Sequence, residues 1–309
     1  MRINVVSVSG GKDSTATLLL ALERDLEPVA VFADTGNEHE MTYEYLSYLE
    51  QKLGLNIHRL RRDFSPEIAS RRVFVANDQR TARKNGKRIR YTNRTKRRIL
   101  NALQTTGNPY LDLCLWKGRF PSRRAQFCTR FLKIEPLVEF QMNIIDQGNE
   151  VWSWQGVRAD ESPNRANLLE FEAVGGGLYN YRPIHKWNVE RVFEQHRKHG
   201  IEPNPLYKLG MSRVGCMPCI NASKGEVLEI SKRFPGHIER IAMWESAVQL
   251  TSKQGGASFF PDPDRDAHLN KRGIYNMVQW SKTTRGGKQF NLLEEGESAT
   301  CSSAYGLCE

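Results

Sequence analysis

Short apolar runs alternate with amphipathic stretches through the first sixty residues, and this alternation constrains the fold more than any other feature of the chain. The apolar runs at 3–8 and 28–33, with a shorter run at 56–60, predict three β-strands. The apolar spacing between these runs predicts helices over 15–23 and 41–53. Because this order of elements requires right-handed crossovers, it predicts an α/β fold with an open, doubly wound, mostly parallel sheet of the Rossmann-like kind.

The same alternation returns later in the chain. A helix is predicted over 132–147, a strand over 150–155 and a helix over 189–199, whereas the periodicity fades from Asn204 onward. We therefore predict an α/β domain over 1–203, interrupted by an insertion at 62–112. A loop-rich, cysteine-containing C-terminal segment over 204–309 is expected to pack on that domain.

The insertion is strongly basic. The chain has a net charge of +10, and the stretch from Arg59 to Arg98 holds fifteen Lys or Arg residues against three Asp or Glu residues. A field concentrated in this way favours a polyanionic partner, and nucleic acid, above all DNA, is the natural candidate. We expect the contacts to come from Arg94, Lys96, Arg97 and Arg98. The alternative is a solvated basic face without a specific partner.

A glycine-rich loop, Ser9-Gly10-Gly11-Lys12-Asp13-Ser14, joins the first predicted strand to the first predicted helix. Ligands of open α/β sheets bind at the carboxyl ends of the strands, and this loop lies at such an end. The glycines allow a tight turn with inward-facing amides, and the helix N-terminus adds positive charge there. Lys12 can neutralise phosphate oxygens, Asp13 can bind Mg²⁺, and Ser14 can cap the helix.

A purely structural turn is the alternative, but such a turn needs neither Lys12 nor Asp13. The domain over 1–203 is therefore predicted to bind nucleotide phosphates, with Lys12 and Asp13 as the catalytic residues.

The loop resembles the pyrophosphate-binding loop of the adenine-nucleotide α-hydrolase (PP-loop) superfamily, whose members cleave ATP between the α and β phosphates or bind adenylyl sulfates. Four further segments resemble, in the same order, those of the phosphoadenylyl-sulfate (PAPS) reductase family. These segments are Asp34-Thr35-Gly36-Asn37-Glu38, Gly156-Val157-Arg158-Ala159-Asp160-Glu161-Ser162, Arg182-Pro183-Ile184 with Trp187, and Asn204-Pro205-Leu206-Tyr207. The resemblance runs from residue 3 to about residue 222 outside the insertion, and it implies an adenine-nucleotide α-hydrolase-like fold.

The resemblance also implies a nucleotide site. Its residues are Ser9, Gly10, Gly11, Lys12, Asp13, Ser14, Asp34, Thr35, Gly36, Gly156, Arg158 and Arg182. Asp34 would accept hydrogen bonds from ribose or adenine, and the two arginines offer forked donors to phosphate or sulfate. Each arginine could instead form a structural ion pair.

Six cysteines lie at positions 114, 128, 216, 219, 301 and 308, and in a reducing compartment such residues are seldom disulfides. The pair Cys216-Met217-Pro218-Cys219 has the spacing of a metal site or a redox dithiol, and its late position favours a metal centre, iron–sulfur or zinc. The family resemblance implies a [4Fe–4S] cluster, with zinc as the alternative metal. The resemblance maps three ligands onto Cys128, Cys216 and Cys219. The fourth would be Cys308, alternatively Cys301 or more weakly Cys114, or else it would be a non-protein ligand or absent.

Two departures from the family bear on the activity. The family members that reduce adenylyl sulfate carry a cysteine pair where this chain has only Cys128, and their C-terminal Glu-Cys-Gly-Leu-His element differs from the tail around Cys308. The chain also resembles the ATP-cleaving components of DNA phosphorothioation systems. This resemblance implies an ATP pyrophosphatase that supports sulfur insertion into nucleic acid, with ATP and Mg²⁺ bound, a cysteine desulfurase as sulfur donor and other components of a modification complex as partners.

Two other function classes compete with this interpretation. A true PAPS or adenylyl-sulfate reductase fits the segments through Cys219, and a metal-stabilised, non-catalytic DNA-binding protein fits the charge. The chain has no apolar run of the roughly 20 residues that a membrane helix needs, so we expect a cytoplasmic protein without a membrane partner. The histidines, among them His196 and His199, show no metal-ligand spacing and are expected at the surface.

Overall fold

The structure is a computed structural model, which describes residues 1–24, 27–84, 87–261 and 273–284. The strands are β1 (Arg2–Ser7), β2 (Val29–Ala33), β3 (Ile57–Leu60), β4 (Arg83–Lys84), β5 (Lys87–Arg88), β6 (Glu150–Trp154), β7 (Phe171–Gly175) and β8 (Leu178–Tyr181). The helices through residue 145 are α1 (Lys12–Arg24), α2 (Glu40–Leu53), α3 (Ser65–Ala76), α4 (Asn93–Ala102), α5 (Pro109–Lys117), α6 (Phe127–Thr129) and α7 (Glu135–Ile145). The later helices are α8 (Pro163–Ala166), α9 (Val189–Lys198), α10 (Lys224–Arg233), α11 (Pro235–Thr251) and α12 (Ile274–Ser281).

The chain forms two compact units. Among the described residues, unit 1 comprises Met1–Arg61 and Leu132–Met217, and unit 2 comprises those within Arg62–Phe131 and Pro218–Thr300. From Arg62 onward, the basic stretch therefore belongs to the same unit as the helices that follow residue 218. This division differs from the predicted boundary at residue 203.

Unit 1 is built on a six-stranded sheet in the order β3-β2-β1-β6-β8-β7. All neighbouring pairs are parallel except β7 and β8, which form an antiparallel hairpin at one edge. The chain runs outward from β1 through β2 to β3, and then returns to the other side of β1 with β6. The strand order thus reverses between β1 and β6, where open α/β sheets form their ligand crevice. The predicted α/β, mostly parallel fold is confirmed.

Helices cover both faces of this sheet because each strand points alternate side chains to opposite sides. On one side, Val6 and Phe32 belong to a core cluster that also includes Leu18 and Leu19 of α1 and Leu46 of α2. On the other side lies a second cluster of buried residues, Val5, Val31, Val151 and Leu178, packed by residues of α7. The adjacent residues Val5 and Val6 are both fully buried, which is typical of a strand enclosed from both sides.

Unit 2 is helical apart from the small antiparallel β4–β5 pair. Helix α11 packs against α4, α5, α10 and α12. The guanidinium of Arg71 on α3 donates to the backbone oxygens of Leu115, Trp116 and Thr251, which ties three segments of this unit together. Burial lowers the pKa of Arg71 below its ordinary value.

The segment after residue 204 contains more regular structure than its weak periodicity predicts. Three helices, α10, α11 and α12, occupy much of its described part. Local signals define their starts: Ser223 and Glu226 form a capping box before α10, and Pro235 opens α11. None of the helices that the structure describes combines the length and the apolarity needed to cross a bilayer.

Candidate functional site

The glycine-rich loop lies at the carboxyl end of β1, beside the point where the strand order reverses. Gly10 adopts a left-handed backbone with φ of 75°, and a Cβ on it would lie 3.0 Å from Cγ2 of Thr42. Gly11 and Lys12 are buried as well. The turn thus requires glycine at position 10 for its conformation and for space, and it brings the backbone directly onto the first turn of α1.

Three buried side chains from the end of unit 1 hold the loop backbone in place. The hydroxyl of Tyr207 accepts a hydrogen bond of 2.9 Å from the Lys12 N–H, and the Asn204 side-chain amide donates to the Gly10 carbonyl at 3.1 Å. His196 donates from Nε2 to the Lys12 carbonyl at 2.9 Å. The loop conformation is therefore imposed by three residues that are separated from it by 184 to 195 positions along the chain.

His185 and His237 are buried, against the expectation that the histidines lie at the surface, and His196 is only 1% exposed. Burial lowers its pKa, although the Lys12 carbonyl partly offsets that effect. When the ring is neutral, its proton must lie on Nε2 for His196 to donate to this carbonyl. His196 therefore acts as a brace for the loop rather than as a surface charge.

The two serines of the loop bond to each other. The Ser14 hydroxyl accepts from the Ser9 N–H at 3.0 Å, donates to the Gly11 carbonyl at 3.0 Å and lies 3.1 Å from the Ser9 hydroxyl. The predicted cap at Ser14 is wrong, because α1 begins two residues earlier, at Lys12. The helix N-terminus therefore lies inside the loop, with Ser14 in the first helical turn.

Charged side chains converge on the start of α1. The Lys12 ammonium lies 3.0 Å from one carboxylate oxygen of Asp13, and Nε of Arg158 lies 2.5 Å from the other oxygen. Asp160 accepts from Arg158 at 2.5 Å. Burial opposes the charge of Arg158, but Asp13 and then Asp160 outweigh it and raise the pKa of the guanidinium.

Asp13 therefore holds one cation on each side of itself. Both of its carboxylate oxygens already face cations, so the geometry fits a residue that orients Lys12 and Arg158. Binding of Mg²⁺ by Asp13 stays a prediction, because the ion would have to share or replace these contacts.

Gly156 allows Arg158 to reach the loop. A Cβ at this position would lie 2.9 Å from three backbone atoms, namely the carbonyl oxygen of Asp13 and the nitrogen and Cα of Ser14. Real Cβ atoms essentially never approach backbone so closely, so only glycine lets the end of β6 contact the first turn of α1. The motif therefore requires glycine at position 156 because there is no space for a Cβ, and not because of an unusual φ.

The segment after β2 forms a second group of buried polar residues. Asp34 accepts from the Gly36 N–H at 2.9 Å, from the Tyr43 hydroxyl at 2.8 Å and from Arg61 at 3.3 Å. Glu38 is 4% exposed, and its oxygens accept from the hydroxyl and the N–H of Thr35 at 2.6 and 3.2 Å. Burial, together with Glu38 and then Asp34, raises the pKa of Tyr43.

Cys216 contacts this second group. Its Sγ lies 3.4 Å from the Thr35 hydroxyl and 3.7 Å from a Glu38 carboxylate oxygen. The backbone on either side is joined too, since Glu38 and Cys216 form an isolated bridge and the Met217 N–H donates to the Asn37 carbonyl at 2.7 Å. The fold therefore brings one cysteine of the Cys-x-x-Cys pair against the segment that the family resemblance assigns to the nucleotide.

The remaining cysteines differ in exposure. Cys128 in α6 and Cys219 are partly buried, and Sγ of Cys219 accepts from the Asn221 N–H at 3.5 Å. Cys114 is fully buried, and burial raises its pKa well above the ordinary value, which suits a core thiol and not a metal ligand. Cys301 and Cys308 lie outside the described residues, so the fourth ligand stays a prediction.

Arg182 is engaged in structural contacts. Its guanidinium donates to Gln155 at 3.0 Å, to the Leu169 carbonyl at 2.7 Å and to Glu172 at 2.8 Å. These bonds fix the segment before β7 to the end of β8. The predicted anion-binding role of Arg182 therefore stays a prediction, while its observed partners give it a structural task.

The four basic residues predicted to contact nucleic acid divide into two pairs on α4. The Lys96 ammonium donates to the carbonyls of Ala76 and Asp78 at 2.9 and 3.0 Å, and Arg98 donates to the carbonyls of Leu250 and Ser252. Arg94 and Arg97 are exposed. The exposed pair is the one that a polyanion could reach, and contact by any of the four stays a prediction.

Sequence reasoning missed the residues that brace the loop and pack behind it. The sequence indicates Asn204 and Tyr207 only through the family resemblance, gives no signal for Thr42, and predicts a surface position for His196. The polar residues Asn204 and His196 are each 1% exposed. The signal that could have identified Asn204 is its position directly before a proline, as the cap of the short Pro205–Tyr207 turn of 3₁₀ helix.

Comparison with known proteins agrees with this geometry. The profile of the phosphoadenosine phosphosulfate reductase domain matches residues 3–222. A protein of Escherichia phage 186, described as an uncharacterized 37.8 kDa protein in the gpa 5′ region, is 45% identical over 99% of this chain and 97% of its own length. The phosphoadenosine 5′-phosphosulfate reductase of Buchnera aphidicola is 24% identical over 75% of this chain and 76% of its own.

Among solved structures, the phosphoadenylyl-sulfate reductase of Candida auris in its phosphate complex aligns with a TM-score of 0.42 at 15% identity. The alignment covers 70% of this chain and 82% of that one.

Proposed function

The chain belongs to the phosphoadenosine phosphosulfate reductase family, and from this premise we propose that it is an ATP pyrophosphatase that supports sulfur insertion into nucleic acid. Family membership by itself supports a function on adenine nucleotides or sulfonucleotides. ATP as the nucleotide, DNA as the acceptor and a cysteine desulfurase as the sulfur donor are the finer parts of the proposal.

The observation that carries the proposal is the arrangement of Lys12, Asp13 and Arg158 at the first turn of α1. Two buried cations, 6% and 5% exposed, are held within 3.0 Å of one carboxylate at the helix N-terminus. Buried cations are costly unless they are paired, and Asp13 and Asp160 pair with these two. Their position beside the N-terminus of α1 suits them to a polyanionic group such as pyrophosphate. Within the described part of unit 1, no other element start gathers two buried cations in this way.

In the proposed reaction an oxygen of the acceptor attacks the α-phosphorus of ATP, the bond to the bridging α–β oxygen breaks, and pyrophosphate leaves. Lys12 and the loop amides stabilise the negative charge that develops on the leaving group. Asp13 keeps Lys12 and Arg158 in place, and the braces Tyr207 and Asn204 prevent the loop from rearranging. The terminal sulfur of a cysteine persulfide then attacks the adenylated acceptor and displaces AMP. A second thiol reduces the resulting S–S bond, so that the sulfur stays on the acceptor and the two thiols leave as a disulfide.

The metal part of the proposal rests on the three partly buried cysteines, Cys128, Cys216 and Cys219. None of these thiols is enclosed as Cys114 is, so each has the accessibility that a thiolate ligand requires. A [4Fe–4S] cluster, when bound, supplies electron transfer or sulfur handling, and a zinc ion in its place would be structural.

A sulfonucleotide reductase is the second candidate. It is favoured by the relative from Buchnera aphidicola, whose name states that activity and which aligns over three quarters of both chains. Both candidates use the same loop, because pyrophosphate and the 5′-phosphosulfate group present similar anionic oxygens. They differ in the bond that breaks and therefore in the products.

The products provide the test. Protein purified without oxygen is incubated with ATP, with adenylyl sulfate and with phosphoadenylyl sulfate, and pyrophosphate, AMP and sulfite are measured. Lys12→Ala is the loop variant, and Lys52→Ala, which removes an exposed lysine in the last turn of α2, is the matched control.

With ATP alone, water takes the place of the acceptor oxygen, so we expect hydrolysis to pyrophosphate and AMP. Lys12→Ala should lower this turnover at least about 100-fold, and Lys52→Ala should leave it unchanged. Sulfite from an adenylyl sulfate in the presence of thioredoxin, with no pyrophosphate from ATP, would assign the reductase activity instead. Equal turnover by Lys12→Ala and the parent protein would remove the loop from the mechanism under either candidate.

A further inference from the structure

A cluster of aromatic and cationic side chains lies on the surface of unit 2. It is formed where the last turn of α3 meets the segment that contains β4 and β5 and leads to α4. We call it the stacking patch, and it consists of Phe74, Arg80, Tyr91 and Lys253. Phe74 is 48% exposed, and its neighbour Val73 is 62% exposed. An aromatic ring left half in water at the centre of a basic region is the feature that requires an explanation.

The rings and the cations of the stacking patch are interleaved. Phe74 and Tyr91 meet edge to face with centroids 6.5 Å apart. The guanidinium carbon of Arg80 lies 4.9 Å from the Phe74 centroid and 6.0 Å from the Tyr91 centroid, and the Lys253 ammonium lies 5.2 Å from the Tyr91 centroid. Phe74 therefore lies within cation–π range of one cation, and Tyr91 within that range of two.

A buried carboxylate holds the stacking patch in shape. Asp78 accepts from Nε and Nη2 of Arg80 at 2.7 and 3.1 Å and from the Tyr91 N–H at 2.9 Å. The guanidinium of Arg80 keeps the pKa of Asp78 below its usual range. The Lys96 ammonium donates to the Asp78 carbonyl at 3.0 Å, which joins α4 to the same point. The patch is thus organised before any ligand arrives, which lowers the entropy lost on binding.

The surroundings of the stacking patch favour an anionic ligand. Between Arg71 and Arg98 the sequence contains twelve Lys or Arg residues and one acidic residue, Asp78, whose carboxylate is turned inward. Arg83, Arg90, Arg94 and Arg97 are exposed on this stretch. Such a field attracts a polyanion, and the attraction depends on ionic strength.

The exposed ring decides which polyanion fits. A duplex offers phosphates to the arginines but keeps its bases stacked inside, so Phe74 would gain nothing from it. A single strand offers phosphates together with unstacked bases, and proteins that bind single strands combine a cationic groove with aromatic platforms for this reason. An acidic peptide would use the cations and leave the half-exposed ring in water.

We propose that the stacking patch binds single-stranded nucleic acid, with a base stacked on Phe74 and the adjoining phosphates contacting Arg80, Arg94 and Arg97. This inference rests on the nucleic-acid acceptor of the proposed function and specifies the form of that acceptor. Recognition is by stacking and charge, so the bound strand is selected for being unpaired and not for its sequence.

The test measures binding of the full chain by fluorescence anisotropy over a series of salt concentrations. The probes are a labelled single-stranded oligonucleotide, the duplex of the same sequence, and a poly-glutamate peptide. Phe74→Ala removes the ring, Phe74→Leu keeps an apolar side chain without the π system, and Val73→Ala is the matched control on the adjacent exposed position. Arg94→Gln with Arg97→Gln removes two charges.

We expect the single strand to bind more tightly than the duplex, and Phe74→Ala to weaken that binding about 5- to 100-fold without changing its salt dependence. Phe74→Leu should show most of the same loss, and Val73→Ala should bind like the parent protein. Affinity falls as salt rises, so the slope of log affinity against log salt is negative. The double arginine variant should make this slope shallower by about 1.4, or roughly 0.7 for each lost contact.

Equal affinity for single strand and duplex, with no effect of Phe74→Ala, would overturn the proposal. Preferential binding of poly-glutamate would overturn it in favour of an acidic protein partner. Pyrophosphate release from ATP without nucleic acid separates this inference from the proposed function. The Phe74 variants should release pyrophosphate as the parent protein does. If the parent protein itself released no pyrophosphate, that result would refute the pyrophosphatase proposal and not the stacking patch.

Discussion

Replacing Gly156 by alanine tests whether the contact between β6 and the first turn of α1 controls the site. The added Cβ would lie 2.9 Å from the Asp13 carbonyl oxygen and from N and Cα of Ser14, whereas ordinary van der Waals contact begins at 3.4 Å. All three neighbours are backbone atoms, so no side chain can rotate away to make room. The end of the strand and the start of the helix must therefore separate by about 0.5 Å.

This separation has two expected effects. Overpacking of this kind destabilises proteins by about 1–3 kcal/mol, so the free energy of unfolding should fall by that amount. The same movement shifts Asp13 away from Arg158, whose Nε lies 2.5 Å from it. Because displacements below 1 Å at a catalytic group already slow reactions substantially, we expect turnover to fall by roughly 10- to 100-fold.

The assay pairs denaturant unfolding with pyrophosphate release from ATP. Gly225→Ala is the matched control, because it makes the same chemical change in α10 where a Cβ has no neighbour within 4 Å. Alanine also favours a helix over glycine by up to about 1 kcal/mol, so the control should be as stable as the parent protein or more so.

The result that would refute this reasoning is a Gly156→Ala protein with the stability and the turnover of the parent. Reduced stability with full turnover would retain the steric argument and reject the claim that the position of Asp13 relative to Arg158 matters for catalysis.

Three further expectations concern the loop, the pH dependence and the metal. Tyr207→Phe conserves volume at a position that is 1% exposed, but it leaves the Lys12 N–H without this acceptor. The free energy of unfolding should therefore fall by about 1–3 kcal/mol. A loss below about 0.5 kcal/mol in denaturant titrations would contradict the role of Tyr207 as a brace. The pKa of Glu23 is lowered to about 2, chiefly by its hydrogen bond to Lys198, so its carboxylate stabilises the fold above its ordinary pKa of 4.5 and this contribution disappears as the pH falls towards 2. Glu23→Gln should therefore lower the free energy of unfolding by about 0.5–1 kcal/mol at neutral pH and leave it unchanged near pH 2. An equal loss in unfolding titrations at the two pH values would contradict the ion pair. Cys216→Ser should abolish iron incorporation during anaerobic expression while the buried Cys114→Ala keeps it, and full iron content in the Cys216 variant would reject that ligand.

The α/β class and the place of the site could be predicted from the sequence because both depend on local patterns. The apolar runs that became β1 and β2 are short and separated by a helix, and parallel strands buried on both faces require such runs. The loop from Ser9 to Ser14 can be identified from the sequence as a candidate phosphate-binding loop. A purely structural turn would not need Lys12 and Asp13 after two adjacent glycines. These features need no knowledge of what lies nearby in space.

Some local signals were present but weak. The run Gly175-Gly176-Gly177 between two aromatic stretches indicates a hairpin, and the structure forms β7 and β8 there. The helices after residue 218 have their caps in the sequence, but α11 is not strongly amphipathic because it contacts neighbours on several sides, which obscures the period on which helix prediction relies.

Other properties of the site depend on partners that are distant in the chain, and only the tertiary structure decided them. The sequence suggests Asp13 as a Mg²⁺ ligand, and the fold alone shows that Nε of Arg158, 145 residues away, lies 2.5 Å from its carboxylate. His196 has the sequence surroundings of a surface residue, yet it is buried beneath the loop. Lys96 and Arg98 look like Arg94 and Arg97 in the sequence, and only their backbone partners distinguish them. A residue's type fixes which bonds it can make, whereas the fold decides which partner comes within about 3 Å, and hydrogen bonds and ion pairs act only at that range.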